Sequence, residues 1–202
     1  FTKQELINLL RVPPDKIAVV HHGTNPRFKP IRDEASLERV KSKLSLPDRF
    51  ILFVGHLEPR KNLVRLIQAF GMLKSKTKLP HKLVILGRKS WGYKPIFEAA
   101  ERCDASSDVI FTGYVDEGDL PLVYNLADAL AFPSLYEGFG LPLLEAMACG
   151  VPVVTSNVSS LPEVAGEAAI LVDPYNVEEI ANGLAAVLEN EALRHESIGK
   201  GL

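Results

Sequence analysis

The stretch Pro133-Ser134-Leu135-Tyr136-Glu137-Gly138-Phe139-Gly140-Leu141-Pro142-Leu143-Leu144-Glu145-Ala146-Met147-Ala148-Cys149-Gly150 decides how this chain is read. Before it, Asp128-Ala129-Leu130-Ala131-Phe132 is short and apolar like a buried strand, and Val151-Pro152-Val153-Val154-Thr155 after it is a second such run. Between them Gly138 and Gly140 let the backbone turn and approach a ligand closely. Pro142 has the ring geometry preferred in a first helical turn, and Leu141 to Ala148 carries the helix to Gly150 as its stop. The order is strand, glycine loop, helix, strand. It aims the N–H groups of Gly140, Leu141 and Leu143 out of the carboxyl end of a parallel sheet, where a helix start carries roughly half a positive charge and suits an anion such as phosphate. Glu137 precedes the glycines, and Glu145 follows eight positions later, about one turn into the helix. Carboxylates repel phosphate but accept well from sugar hydroxyls. A ligand that uses both features is a sugar–diphosphate–nucleoside, with hydroxyls at either end and charge in the middle.

These residues resemble the Glu-x7-Glu signature of retaining glycosyltransferases with the GT-B fold, in the large family 4 (group 1) that includes bacterial mannosyltransferases and sucrose synthases. Two glutamates, two glycines and a proline fall in register across eighteen residues, whereas a lone Glu-x7-Glu would carry nothing. The resemblance implies that Glu137 lies by the donor sugar and that Glu145 binds the ribose hydroxyls. It also implies that the amides of Gly138, Phe139, Gly140 and Leu141 meet the diphosphate and sugar. The part resembled is the C-terminal, nucleotide-binding half. Phe1-Thr2-Lys3-Gln4-Glu5-Leu6-Ile7 opens in the middle of a helical pattern without a Met, so the expectation is a fragment lacking the N-terminal acceptor-binding half and the final crossover helix. Residues 1–15 are then an interdomain segment and residues 16–202 the nucleotide-sugar-binding domain.

Length and composition agree with one soluble α/β domain: 202 residues, 47% hydrophobic and 24% charged. A net charge of -2 excludes the basic footprint of a nucleic-acid binder. Cys103 and Cys149 are too few for a disulfide framework and fit a reducing compartment. No apolar run approaches the roughly 20 residues that span a bilayer, and no secretory signal opens the chain. The expected location is cytoplasmic, with any attachment to the inner face of a membrane made through the missing half.

A second strand, loop and helix unit runs from Phe50-Ile51-Leu52-Phe53-Val54-Gly55, a continuous apolar run typical of a parallel strand buried on both faces, into Leu63 to Phe70. Arg60 and Lys61 sit at the start of that helix, where the dipole disfavours cations, so an anion should compensate them. The loop resembles the family's Gly-x-x-x-Pro-x-Lys-Asn segment, which implies that Arg60 and Lys61 clamp the donor diphosphate. His56 stands where many members carry arginine, and Arg60 is read as doing that work. Leu83 to Gly87 is a further buried strand. Its exit loop, with Arg88, Trp91 and Tyr93, reaches the same carboxyl edge, where the aromatics either shape the pocket or cap the sheet. After the strand Val109-Ile110-Phe111, the loop around Val115 is implied by the resemblance to hold the nucleobase through backbone, with Asp116 or Glu117 accepting from guanine.

Elsewhere, residues 2 to 10, 34 to 44, 95 to 102 and 177 to 198 read as helical, Ile17-Ala18-Val19-Val20 as a buried strand, and Met72 to Lys82 as a solvated basic connector. Ser159 to Val164 resembles the family segment opening the next helix, with Glu163 supporting the fold or capping that helix. His21 and His22 depart from the family's Pro-Asn-Gly-Val-Asp turn, and lacking companions at ligand spacing they form no metal site.

The expected architecture is a Rossmann-like doubly wound parallel sheet, the C-terminal half of a GT-B glycosyltransferase. The expected activity is transfer of a hexose, of mannose type, from a GDP- or UDP-sugar to a sugar or lipid-linked sugar, with retention, no metal and no other cofactor. The isolated chain is expected to bind nucleotide and transfer nothing. The alternatives are a non-catalytic nucleotide-sugar-binding module, and an epimerase or phosphorylase of GT-B architecture. A dinucleotide-binding domain is disfavoured, because no Gly-x-Gly-x-x-Gly follows the first strand.

Overall fold

In the computed structural model, which describes residues 1–202, Phe50–Val54 (β1) is buried along its whole length near the centre of a six-stranded sheet. Lys82–Leu86 (β2) and Val109–Gly113 (β3) lie to one side of it. Ala129–Phe132 (β4), Val153–Ser156 (β5) and Ala169–Val172 (β6) lie to the other. The order is β3-β2-β1-β4-β5-β6, and every pairing is parallel. Apolar runs without alternation suit such strands because helices cover both faces. Across the middle, Phe53 of β1 stacks on Phe132 of β4 at 5.8 Å.

Nine helices accompany the sheet: Thr2–Leu10 (α1), Glu34–Leu44 (α2), Leu63–Lys76 (α3), Lys94–Glu101 (α4), Leu120–Leu126 (α5), Leu141–Ala148 (α6), Leu161–Ala165 (α7), Val177–Glu189 (α8) and Glu191–Gly201 (α9). One layer is α4, α3 and α8 packed in that order; α2, α5, α6 and α7 form the other, and α9 touches both α8 and α6. Strand order reverses between β1 and β4, the point at which open α/β sheets bind ligands beyond their carboxyl ends. On the other side of β1, glycines close the strand ends. Gly55 N–H donates to the Leu86 carbonyl at 2.9 Å and Gly87 N–H to that of Gly113 at 2.8 Å. A Cβ on Gly87 would stand 1.9 Å from the Gly55 carbonyl oxygen, so only glycine fits.

Two expectations need correction, and one helix has no counterpart in the sequence reading. Ile17 to Val20 pairs with no strand, and Val20 is 83% exposed. The run instead lines a cavity beside α1, and a run that short becomes a strand only where a sheet edge is free to pair. Residues 72 to 76 are the end of α3 rather than a connector. There Lys74 donates to the carbonyls of Leu79 and His81 and pairs with Asp108 at 3.0 Å, the arrangement that a helix C-terminus favours for a cation. Finally, α5 was not anticipated, because Leu120-Pro121-Leu122-Val123-Tyr124 shows no polar stripe and is almost wholly buried.

Candidate functional site

At the reversal point the loop leaving β1 meets the loop leaving β4. Pro59–Lys61 forms one 3-10 turn, and Asn62 then takes a left-handed conformation (φ 61°) that asparagine tolerates. The buried Asn62 amide donates to the carbonyls of Pro133 (3.0 Å) and Pro174 (2.7 Å), tying together the exits of β1, β4 and β6. Leu135 N–H donates to the Arg60 carbonyl at 2.8 Å, and Arg60 Nη1 donates to that of Tyr136 at 3.1 Å. Glu137 is thereby delivered between two cations. Arg60 Nη1 lies 2.7 Å from its Oε2, Lys61 Nζ lies 2.6 Å from its Oε1, and Arg60 Nε lies 2.7 Å from Glu58 Oε1. Lys61 also sits 4.9 Å from the centre of the Phe132 ring.

Glu137 is buried, and the anions found against Arg60 and Lys61 are the protein's own Glu137 and Glu58. A buried ammonium without a partner would be costly, so Lys61 needs Glu137. Arg60, with 44% of its side chain exposed, is the member of the set that reaches solvent.

The glycine loop is pinned from below. Ser159 Oγ accepts from Glu137 N–H at 3.1 Å, and the one Ser160 hydroxyl proton is shared between the carbonyls of Glu137 (2.9 Å) and Phe139 (2.8 Å). Gly140 has φ 119°, and a Cβ there would strike Leu161 at 2.9 Å. Gly138, by contrast, has no positive φ and open space around its Cα, so the turn does not require it. Leu143 N–H is spent on the Gly140 carbonyl at 3.0 Å. Pro142 has no N–H, which leaves Gly140 and Leu141 as the amides at the helix start, not the three expected.

One turn further on, Glu145 is half-buried and accepts from Tyr124 Oη at 2.8 Å. Burial raises the Glu145 pKa, against the lowering effects of the Tyr124 hydrogen bond and the Arg27 charge. Burial raises that of Tyr124 well above its ordinary value, assisted by the Glu145 carboxylate. Arg27 bonds Glu117 Oε2 through Nη1 and Nη2 at 3.4 and 3.3 Å, so Glu117 is held in an ion pair, though 76% of its side chain is exposed. Val115 is buried. Arg88 lies 4.0 Å over the Tyr114 ring. Of the two aromatics in that loop, Tyr93 packs edge-on to Phe97, while Trp91 is 69% exposed.

Sequence reasoning missed Glu58, Tyr124, Ser159, Ser160 and Arg27. Only Tyr124 carried a signal, since a tyrosine inside an apolar run needs an acceptor for its hydroxyl. Above the loop, α1 is held by Thr2 Oγ1 donating to the Gly138 carbonyl (2.9 Å) and Tyr136 Oη donating to Glu5 (3.1 Å). A cavity of about 640 Å³ separates them, lined among others by Leu6, Val20, His22, Phe139 and Val164. His22 faces the Phe139 ring at 5.2 Å, and no group of His, Cys, Asp or Glu is placed to hold a metal ion. Glu163 caps no helix; it lies against the backbone at the start of α1.

The sequence profile of the glycosyl transferases group 1 family matches residues 35–201. The chain belongs to this family. It is 37% identical over 203 residues to the O-antigen chain mannosyltransferase B of Escherichia coli, a match that covers 100% of this chain and 53% of that protein. A 1.35 Å structure of the C-terminal domain of the group 1 protein LpcC from Francisella tularensis superposes with a TM-score of 0.73 at 25% identity, covering 86% of this chain and 91% of that one. Anabaena Alr3699/HepE in complex with UDP and glucose superposes with a TM-score of 0.81 at 21% identity, covering 94% of this chain and 52% of that one. The sheet is thus the Rossmann-like half of a group 1, GT-B glycosyltransferase, and the chain spans about half the length of the mannosyltransferase that it resembles. No helix is long and apolar enough to cross a membrane.

Proposed function

We propose that this chain is the donor-binding domain of a mannosyltransferase that moves a hexose from a nucleotide diphospho-sugar to a sugar or lipid-linked sugar, with retention at the anomeric carbon. One observation carries the reading. At the strand-order reversal, the Arg60–Lys61–Glu137 cluster, the amides of Gly140 and Leu141, and the Glu145 carboxylate are held along one loop and one helix start. That spacing suits a sugar, a diphosphate and a ribose in line. The mannose assignment rests on the likeness to the O-antigen chain mannosyltransferase B, and retention rests on the Glu-x7-Glu resemblance.

In this reading Glu58 and Glu137 balance the two cations without ligand, and Arg60, the exposed member, turns to the diphosphate as the donor arrives. Lys61, fixed by Glu137, adds positive potential beneath the leaving group as the sugar gains oxocarbenium character. One preorganised group of this kind can lower a barrier by about 3 kcal/mol. Glu137, still held by Lys61, orients the sugar hydroxyls. The phosphates and the sugar lie over the sheet edge at Gly55 and Gly87, Val115 offers backbone to the base, and Arg88 on Tyr114 walls that side. Guanine is favoured over uracil by the acidic residues Asp116 and Glu117, the latter released from Arg27 on binding. Because the chain spans about half of its relative, transfer is assigned to the whole protein and nucleotide binding to this chain.

The test is calorimetric titration of the chain with GDP and UDP, repeated on Glu145→Ala. The reading expects GDP to bind more tightly and the variant to lose about tenfold or more in affinity. Unchanged affinity in the variant, or no binding of either nucleotide, would contradict it.

A further inference from the structure

We infer that Tyr124 is a positioning residue for nucleotide recognition: its hydroxyl holds one oxygen of Glu145 so that the other is presented to the ribose. The inference rests on the reading of Glu145 as the ribose acceptor. Tyr124 lies on α5 and Glu145 on α6, 21 positions apart, and the hydroxyl donates to Oε2 at 2.8 Å. The tyrosine is wholly buried. Its ring meets Phe28 edge-on at 5.7 Å, and Phe28 is buried in turn. The segment around Phe28 is fastened to α5 by Asn125, which accepts from Ile31 N–H at 2.7 Å and donates to the Lys29 carbonyl at 3.0 Å. The phenol therefore has nowhere to swing.

Glutamate on a helix ordinarily samples several rotamers, and fixing one of them before the ligand arrives removes an entropic cost from binding. No other side chain hydrogen-bonds Glu145: Arg27, the cation whose charge acts on it, bonds Glu117 instead. Oε1 accepts from no protein donor and keeps some exposure to solvent, so its lone pairs are free for a hydroxylated ligand. A tyrosine that merely satisfied its own hydroxyl would leave nucleotide selectivity untouched. A positioning tyrosine sets selectivity for the ribose and for no other part of the ligand.

The test compares the chain with its Tyr124→Phe variant, using GDP (or UDP, if that binds more tightly) and the matching 2′,3′-dideoxynucleotide. The unsubstituted chain should prefer the ribonucleotide by about tenfold or more, and Tyr124→Phe should cut that preference at least about threefold while leaving dideoxynucleotide affinity unchanged. An undiminished preference in the folded variant overturns the inference, as does an equal loss for both nucleotides, which is what packing damage gives. Absence of any preference in the unsubstituted chain overturns instead the ribose role of Glu145, and the inference with it. If Tyr124→Phe fails to fold, the Tyr124 hydroxyl proton of the unsubstituted chain is followed by NMR. It should shift with the ribonucleotide and not with the dideoxynucleotide, and equal shifts with both reject the positioning role.

Discussion

On the proposed ribose role, Glu145 has to be ionised to accept from two hydroxyls, yet burial raises its pKa above the ordinary carboxylate value. Two consequences of opposite sign follow. A carboxyl whose pKa is raised on folding contributes stability that is fully present below its unfolded pKa and is lost as pH rises through the folded one. Ribose binding runs the other way, weakening as pH falls through the same raised pKa, because the protonated form has an oxygen that donates rather than accepts. Nucleotide affinity measured between about pH 4 and 7 should therefore decline towards acid. The terminal phosphate of a free diphosphate also titrates, so the matching profile of Glu145→Gln is subtracted, and a flat difference would contradict the account. Glu137 differs in its contacts, with a cation on each oxygen. Two carboxylates eight positions apart are thus given different work by their partners.

At the scale of elements, the glycines divide by what surrounds them. Gly87→Ala places a methyl 1.9 Å from a backbone oxygen at φ 150°, and the strand ends have to part to admit it. We expect a loss of ~2–4 kcal/mol in chemical denaturation. Gly138→Ala enters open space and should leave the midpoint within about 0.5 kcal/mol of the original; similar losses in both variants would contradict the geometry. The same contrast explains what was legible. The strands and α6 were readable, because unbroken apolar runs bounded by glycine and proline have few other solutions in a parallel sheet. Ile17 to Val20 had the composition of a strand, but no sheet edge was there to receive it. Lys74 and Lys76 looked solvated, although long stems let a helix end keep its charge in contact with carbonyls and carboxylates. At the site, Glu137, Glu145, Arg60 and Lys61 could each be named from local pattern. Their pairing could not, since Arg60 and Glu137 are 77 positions apart and only the fold joins them. Tyr124 was hidden in the apolar run that became α5.

For the whole molecule, function is assigned to the carboxyl edge of one sheet at the place where strand order reverses. Other surfaces offer competing sites. A groove of about 560 Å³ between α3 and α4 is lined by Gln68, Ser75 and Arg102 among others. At the amino edge the buried Asp128 accepts from Phe50 N–H at 2.9 Å and pairs with Arg49 at 3.0 Å. The ion partners of Asp128 are satisfied within the fold, and the groove lies between two helices rather than beyond the strand ends, so neither is expected to take a nucleotide. The most direct measurement is amide chemical-shift mapping of the chain titrated with GDP and with UDP. The account predicts perturbations at Gly55, Gly87, Val115, Gly140 and Leu141, all at the carboxyl edge. Shifts confined to the groove between α3 and α4 or to the surroundings of Asp128, or none with either nucleotide, would contradict it.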